Sequence, residues 1–336
     1  MKRLFALLVL LIVVAGAAAA FLLYSPYRGF SQDTFVDFEK GTSTQAMADE
    51  LARNGVIRYP WQFLLVRAVR RGARLQAGEY KFSHADSPWG VFDRIARGDV
   101  FYYEVTIPEG QNIFDIASTL DTVGVVGSKP FLAAVRNTAI IRDLAPRAQT
   151  LEGYLFPSTY RLTRRTTAEQ LCKRMTDQFR KEWARLTANQ PPRSDVQSVV
   201  TLASLVEKET GKAEERKKVA SVFANRLRTN MPLQCDPTAI YAALLEDRFR
   251  GTIFKSDLES RNAYNTYQHP GLPPGPITNP GTASLEAALQ PAATDYLYFV
   301  AKPDGSGTHN FSASYTEHER NVQAYRHGAA QANSSR

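Results

Sequence analysis

Two glutamates two positions apart, Glu207 and Glu209 in "SLVEKETG" (204–211), are the residues in this 336-residue chain whose spacing most invites chemistry. They end the apolar run "VVTLA" with no turn signal between, so 198–209 reads as one helix. At about 100° per residue, Val199, Val200, Leu202, Ala203, Leu205 and Val206 share a broad arc. Glu207 falls inside that arc, and Glu209 falls at its other edge beside Leu202 and Leu205. A carboxylate on the core side of a helix has two readings. It pairs with an arginine, for which Arg216 and Arg226 of the next segment are candidates. Alternatively it lines a cleft whose apolar walls keep a carboxyl protonated near neutral pH and able to donate. Periodicity does not separate the two.

The neighbouring segments are rich in polar groups on turns. "PLQCDPTAIYA" (232–242) reads as a turn opening a helix, with Asp236 as N-cap and Pro237 at the first helical position. An Asp236 facing Glu207 across a cleft would instead give the acid and base of a water-using hydrolase. "NAYNTYQHPGLPPGPITNPG" (262–281) holds five prolines and three asparagines among aromatics, so it forms neither a regular strand nor a helix. A long structured loop of amides, hydroxyls and rings suits a carbohydrate cleft. "TLEGYLFPSTYRL" (150–162) is strand-like, and its Glu152 and Tyr154 either reach the cleft or serve packing. His269, His309 and His318 are too scattered to argue a metal site, and they read as surface or loop residues.

These residues need a frame. A charged helix is predicted over 168–186, followed by a loop, "TANQPPRSD", at 187–195. Upstream lies an internal repeat: "FEKGTSTQAMADELARNGVI" (38–57) aligns without gaps on "IPEGQNIFDIASTLDTVGVV" (107–126) at an offset of 69. Each copy reads as strand, glycine turn, amphipathic helix and glycine stop. Such units either grip a repetitive polymer or stiffen the region. The first residues hold an uncharged apolar run from Leu4 to Leu23, long enough to span a bilayer. Lys2 and Arg3 before it keep the N-terminus cytoplasmic and send the rest across. The competing reading is a cleaved signal peptide, because "AGAAAA" offers small residues, but the apolar run continues through "FLLY".

Composition bounds the classes. Hydrophobic residues at 44% and charged residues at 22% belong to a globular protein, not a disordered one. A net charge of +8 suits an anionic surface such as a membrane or wall polymer, and export makes nucleic acid a poor partner. Cys172 and Cys235 lack metal-ligand spacing and read as two separate buried thiols, with a structural disulfide outside the cytoplasm as the alternative.

Six blocks in fixed order, "LEGYLFPSTY", "ASLVEKETG…ERKKVASVFANRL", "PLQCDPTAIY", "AYNTYQHPGLPPGPITNPG", "YLYFVAKPDGSGTHNFS" and "TEHERNV", resemble the endolytic murein transglycosylase family, MltG (YceG-like). The resemblance covers nearly the whole chain, anchor included. It implies a catalytic glutamate in "VEKE", matched here to Glu207, and a LysM-like region before the catalytic domain. Cys235 departs from the family's usual threonine but leaves Asp236 in place. The implied reaction cuts the β-1,4 bond between N-acetylmuramic acid and N-acetylglucosamine without water. The muramic C6 hydroxyl attacks its own anomeric carbon, so a single carboxylate suffices as acid and then base, with no cofactor and no metal. Tyr264, Asn265 and Tyr267 are the candidates for holding the N-acetyl group, with Glu152 and Tyr154 as further substrate contacts.

The expected fold class is α+β: an N-terminal transmembrane helix, a small LysM-like α/β module and a larger mixed α+β catalytic domain. The expected boundaries are a cytoplasmic N-terminus at 1–3, a transmembrane helix at 4–24, the repeat-bearing module at 25–135, the catalytic domain at 136–330 and a disordered tail at 331–336. The expected partners are peptidoglycan glycan strands, the inner membrane and a glycan synthase. A non-catalytic wall-binding scaffold and a water-using muramidase are the other classes, and product chemistry separates them.

Overall fold

The computed structural model describes residues 2–189 and 195–334. Most of the loop expected at 187–195, and the last two residues of the tail, lie outside the described residues. The chain divides into two compact units, one of 1–104 with 161–165 and one of 105–160 with 166–336.

The first unit opens with helix α1 (Lys2–Tyr24), whose Phe5–Tyr24 stretch is long and apolar enough to cross a membrane. Then come strand β1 (Thr34–Phe38), helices α2 (Thr44–Arg53) and α3 (Pro60–Val69), strand β2 (Gly78–Phe82) and helix α4 (Pro88–Arg97). β1 and β2 pair antiparallel, with Val36 opposite Tyr80. Val36 and Phe38 turn inward while Asp37 faces out, the alternation a half-buried strand requires. Their core is completed by Met47 and Leu51 of α2, Phe63 and Val66 of α3, and Phe92 and Ile95 of α4. The short stretch 161–165 joins this unit through ion pairs of Arg164 with the buried Glu79, at 3.0 Å, and of Arg165 with Asp37.

The second unit holds strand β3 (Tyr103–Ile107, shared at its start with the first unit), helices α5 (Ile113–Val123) and α6 (Ser128–Ala134), and strand β4 (Ser158–Leu162, shared at its end with the first unit), which pairs with β3. Helices α7 (Ala168–Thr187), α8 (Val196–Glu209), α9 (Arg216–Arg228), α10 (Asp236–Leu245), α11 (Lys255–Leu258) and α12 (Thr282–Leu289) follow. An antiparallel pair, β5 (Tyr298–Ala301) and β6 (His309–Ser312), precedes the last helix, α13 (Tyr315–Ser334). α8 is the core: the eight consecutive residues from Val199 through Val206 are all buried, Thr201 and Ser204 among them. The Ser204 hydroxyl donates to the Thr201 carbonyl and accepts the Ile277 N–H, so the polar atom is satisfied inside.

The repeat is structural as well as sequential. Gly41 and Gly110 take positive φ (90° and 79°), Ser43 and Asn112 cap α2 and α5, and Gly55 and Gly124 end them at φ of 69° and 73°. Positive φ is why these four positions are glycine. The two copies nevertheless fall in different units. The turn of the second copy is bound into the larger unit: Gly110 N–H donates to the Asn279 carbonyl, Asn279 N–H to the Gln111 carbonyl, and Ile113 N–H to Glu152.

Candidate active site

Two residues along a helix is a rotation of about 200°, so Glu207 and Glu209 leave the last turn of α8 on opposite sides. On one side, the Glu207 side chain is only 6% exposed. Its Oε1 lies 3.6 Å from Nη2 of Arg216, the first residue of α9, and its Oε2 accepts the N–H of Gly281, the N-cap of α12, at 3.0 Å. Of the arginines weighed from sequence, Arg216 is therefore the one paired with Glu207. Glu109 approaches the same guanidinium at 4.0 Å from a half-exposed position. Its pKa is raised by burial and by the Glu207 charge, with Arg216 opposing.

On the other side, Glu209 lines a cavity of about 250 Å³ together with Arg226, Gln234, Asp236, Tyr267 and His318, over an apolar floor of Phe223, Leu233 and Phe299. Burial pushes the Glu209 pKa up; the nearby Asp236 charge adds to the rise, and a hydrogen bond from the Cys235 thiol to Oε1, at 3.0 Å, opposes it. Arg226 does not neutralise Glu209 at close range. Its donors are directed to the carbonyls of Leu297 (2.7 Å), Leu233 (2.8 Å) and Pro232 (3.3 Å), and burial lowers its own pKa. Those bonds fix the 232–234 segment, where Gln234 sits at φ 50°, a left-handed conformation uncommon outside glycine. Such backbone persists only where its surroundings over-determine it, and it is often found at sites of function.

Asp236 is the first residue of α10, and the N-cap is Cys235, one position earlier than the sequence suggests. Its Oδ1 accepts the Tyr267 hydroxyl at 2.5 Å. Asp236 thus shares a cavity with Glu209, whereas the arrangement weighed from sequence set it against Glu207.

The loop over 262–281 is irregular, as its prolines predict. Of its three expected contacts, only Tyr267 lines the cavity. Asn265 is fully buried; its amide donates to the carbonyls of Asp257, Leu258 and Ser260, and its oxygen accepts the Tyr267 N–H. It shapes the loop that presents Tyr267. Tyr264 packs on Tyr241 with ring centroids 5.1 Å apart, and burial lifts its hydroxyl to about 12. Glu152 and Tyr154 are enclosed as well. Glu152 accepts Ile113 N–H, the Tyr241 hydroxyl and the Asn279 amide at 2.9, 3.0 and 2.7 Å, tying the start of α5, α10 and the 262–281 loop together. Burial raises its pKa to about 8. Tyr154 is 0% exposed and meets Phe179 edge to face. Neither lines the cavity beside Glu209.

Sequence reasoning missed Gln234 and gave His318 and Arg226 no place in a cleft. The signal available was "PLQCDP", which marks a tight polar approach to a helix start but not its direction. His318 stacks on Tyr298 at 5.0 Å, and burial, then Arg226, lowers its pKa. His309 binds Glu215 through Nδ1 at 2.7 Å. His269 meets the Arg261 carbonyl at the surface. Among the described residues no group of His, Cys, Asp and Glu could hold a metal ion, and Cys172 and Cys235 are separate free thiols.

A second cavity, about 390 Å³, lies at the N-terminal end of α8 between Gln197, Ser198 and Thr201 and the loop residues Leu272–Pro274. The irregular loop therefore contributes to a cavity at either end of α8.

The sequence profile of the YceG-like family matches residues 36–324. A Bacillus subtilis protein named endolytic murein transglycosylase is 32% identical over 321 residues, covering 90% of this chain and 88% of its own length. A Streptococcus pneumoniae protein of the same name is 29% identical, over 85% of this chain but 57% of its own length. The crystal structure of a YceG-like protein from Listeria monocytogenes superposes with a TM-score of 0.56 at 30% identity, covering 87% of this chain and 99% of that one. The chain belongs to the YceG-like family.

Proposed function

We propose that the protein is a membrane-anchored endolytic lytic transglycosylase of peptidoglycan, with Glu209 as its acid and base. The observation that supports this most is the contrast on α8: Glu209 lines a cavity beside an Arg226 whose donors go to backbone carbonyls, while Glu207 is bound to Arg216 and to the Gly281 N–H. An acid must hold a proton near neutral pH, and desolvation of Glu209 favours that form. Relatives named endolytic murein transglycosylase supply the substrate class.

The steps balance with one carboxyl group. Glu209 gives its proton to the oxygen joining N-acetylmuramic acid to N-acetylglucosamine as the C1–O bond breaks. The resulting carboxylate then takes the proton of the muramic C6 hydroxyl while O6 bonds to C1, giving a 1,6-anhydro end and restoring the acid. Gln234, Tyr267 and Asp236 surround the cavity with groups that can hydrogen-bond a sugar and its N-acetyl group. In the first unit, β1–α2–α3–β2 forms a two-helix, two-strand module compatible with a LysM-like grip on glycan. With α1 across the inner membrane and the rest periplasmic, cleavage would be confined to nascent strands and would set their length, alongside a glycan synthase. Loss of the protein is then expected to lengthen glycan strands; unchanged lengths would contradict that role.

A water-using muramidase is the second reading, because Asp236 lines the same cavity as Glu209. Mass spectrometry of the ends left by the full chain on uncross-linked glycan separates them. Anhydro-muramic ends are expected. Reducing ends would make the protein a hydrolase with Asp236 as base, and no cleavage would leave a wall-binding scaffold.

A further inference from the structure

In the first unit, helix α3 has a face that no catalytic role uses. Its inner side buries Gln62, Phe63 and Val66. Its outer side exposes Trp61, Leu65 and Val69 at 43%, 38% and 62%, with Tyr59 at 49% stacked on Trp61. Spacings of four and eight residues put Trp61, Leu65 and Val69 within an arc of about 80°. An apolar stripe of that kind normally faces a partner.

Three observations say what covers it. The first is position. The Gln62 amide donates to the Leu22 carbonyl at 2.8 Å, so the start of α3 meets α1 where its apolar stretch ends. Leu23 is buried in the core of this unit, and Tyr24 stacks on Trp89 of α4. A carbonyl at the edge of a bilayer needs a donor, and Gln62 provides it. The second is chemistry. Trp and Tyr favour the headgroup level, where a ring is half in hydrocarbon and half in water. The third is charge. Residues 58–74 contain five arginines and no acidic residue. Arg58, Arg71 and Arg74 are exposed, and Arg70 is held by Asp93 at 3.1 Å. Basic clusters beside a membrane span are drawn to anionic lipid.

We propose that the α3 face lies in the headgroup layer of the bilayer that α1 crosses, with Tyr59, Trp61, Leu65 and Val69 dipping in and Arg58, Arg71 and Arg74 on anionic headgroups. The inference rests on the reading of α1 as an anchor. It makes the first unit a membrane-resting body with a defined orientation, not one tethered by a free linker.

The test uses the full chain in phosphatidylcholine vesicles containing phosphatidylglycerol, plain or dibrominated in the acyl chains. Flotation reports the anchor. The Trp61 signal is the difference in emission between the wild type and the conservative Trp61→Phe variant. Brominated lipid is expected to remove most of that difference, and the R58E/R71E/R74E variant is expected to recover it. A floating protein whose Trp61 signal ignores bromine would overturn the docking while leaving the anchor intact. Blue-shifted but unquenched emission would overturn it in favour of a protein partner on this face. Quenching that survives charge reversal would remove the arginines from the proposal. A chain that does not float would sink the anchor and the docking together.

Discussion

Glu207 and Glu209 share a helical turn and meet opposite surroundings. Around Glu207 the groups are complementary: a guanidinium, a helix N-terminal N–H and a side chain 6% exposed. Around Glu209 they are not; a weak thiol donor, a second acid, Asp236, and an Arg226 directed to backbone carbonyls border a cavity of about 250 Å³. Complementary groups make a carboxylate part of the architecture, because each of its two oxygens faces a fixed protein donor or cation. A carboxyl facing a cavity and desolvated is shifted toward its protonated form and has room for a substrate atom. On the proposed assignment, burial alone does not mark an acid. What matters is whether the buried group's partners already satisfy it.

The largest effect expected from breaking this contrast, after loss of Glu209 itself, is on stability. Glu207→Ala leaves Arg216, 11% exposed, facing Glu109 at 4.0 Å as its remaining acid. Removing one member of a buried pair costs about 3–5 kcal/mol, and the low end is expected here because Glu109 remains. Denaturant unfolding measures it, and turnover per folded molecule should survive. Full stability with lost turnover would reverse the roles of the two glutamates.

A smaller effect concerns Glu152. Its folded pKa, raised to about 8 by burial from an ordinary 4.5, means that the folded state holds a proton the unfolded state releases. Stability from this group is therefore present below pH 4.5 and is lost as pH rises toward about 8. The melting temperature should fall across that window, and Glu152→Gln, which cannot titrate, should remove that part of the slope. An unchanged slope would mean that the three donors around Glu152 hold it ionised.

The smallest sharpens the Glu209 side. The Cys235 thiol stabilises the carboxylate form of Glu209, so Cys235→Ala should raise the pKa of the acid. Since the acid must be protonated to act, the alkaline limb of the pH–rate profile should move to higher pH. A shift to lower pH would contradict the thiol's donor role.

Much of this was legible in the residues. The offset of 69 between the repeats carried the strand, glycine, cap and helix of both copies, because positive φ and capping are local requirements. The apolar run at the N-terminus and the irregularity of 262–281 were legible for similar reasons. The partition of the repeats was not, since it depends on Asn279 and Glu152 reaching the second copy's turn from distant loops. Nor was the choice between the glutamates. Helical phase gives the direction in which each leaves α8, but Arg216, Gly281 and Cys235 come from elsewhere in the chain, and they decide what each one meets.

The measurement that bears most directly on the central claim is the rate at which new strand ends appear on uncross-linked glycan with Glu209→Gln and Glu207→Gln assayed side by side. General acid–base catalysis contributes roughly 10²–10⁴-fold, so Glu209→Gln should lose that much while melting like the wild type. Glu207→Gln should keep most of the turnover of its folded fraction. Full activity in Glu209→Gln, or its loss in a stably folded Glu207→Gln, would contradict the account and return the acid to the other side of α8.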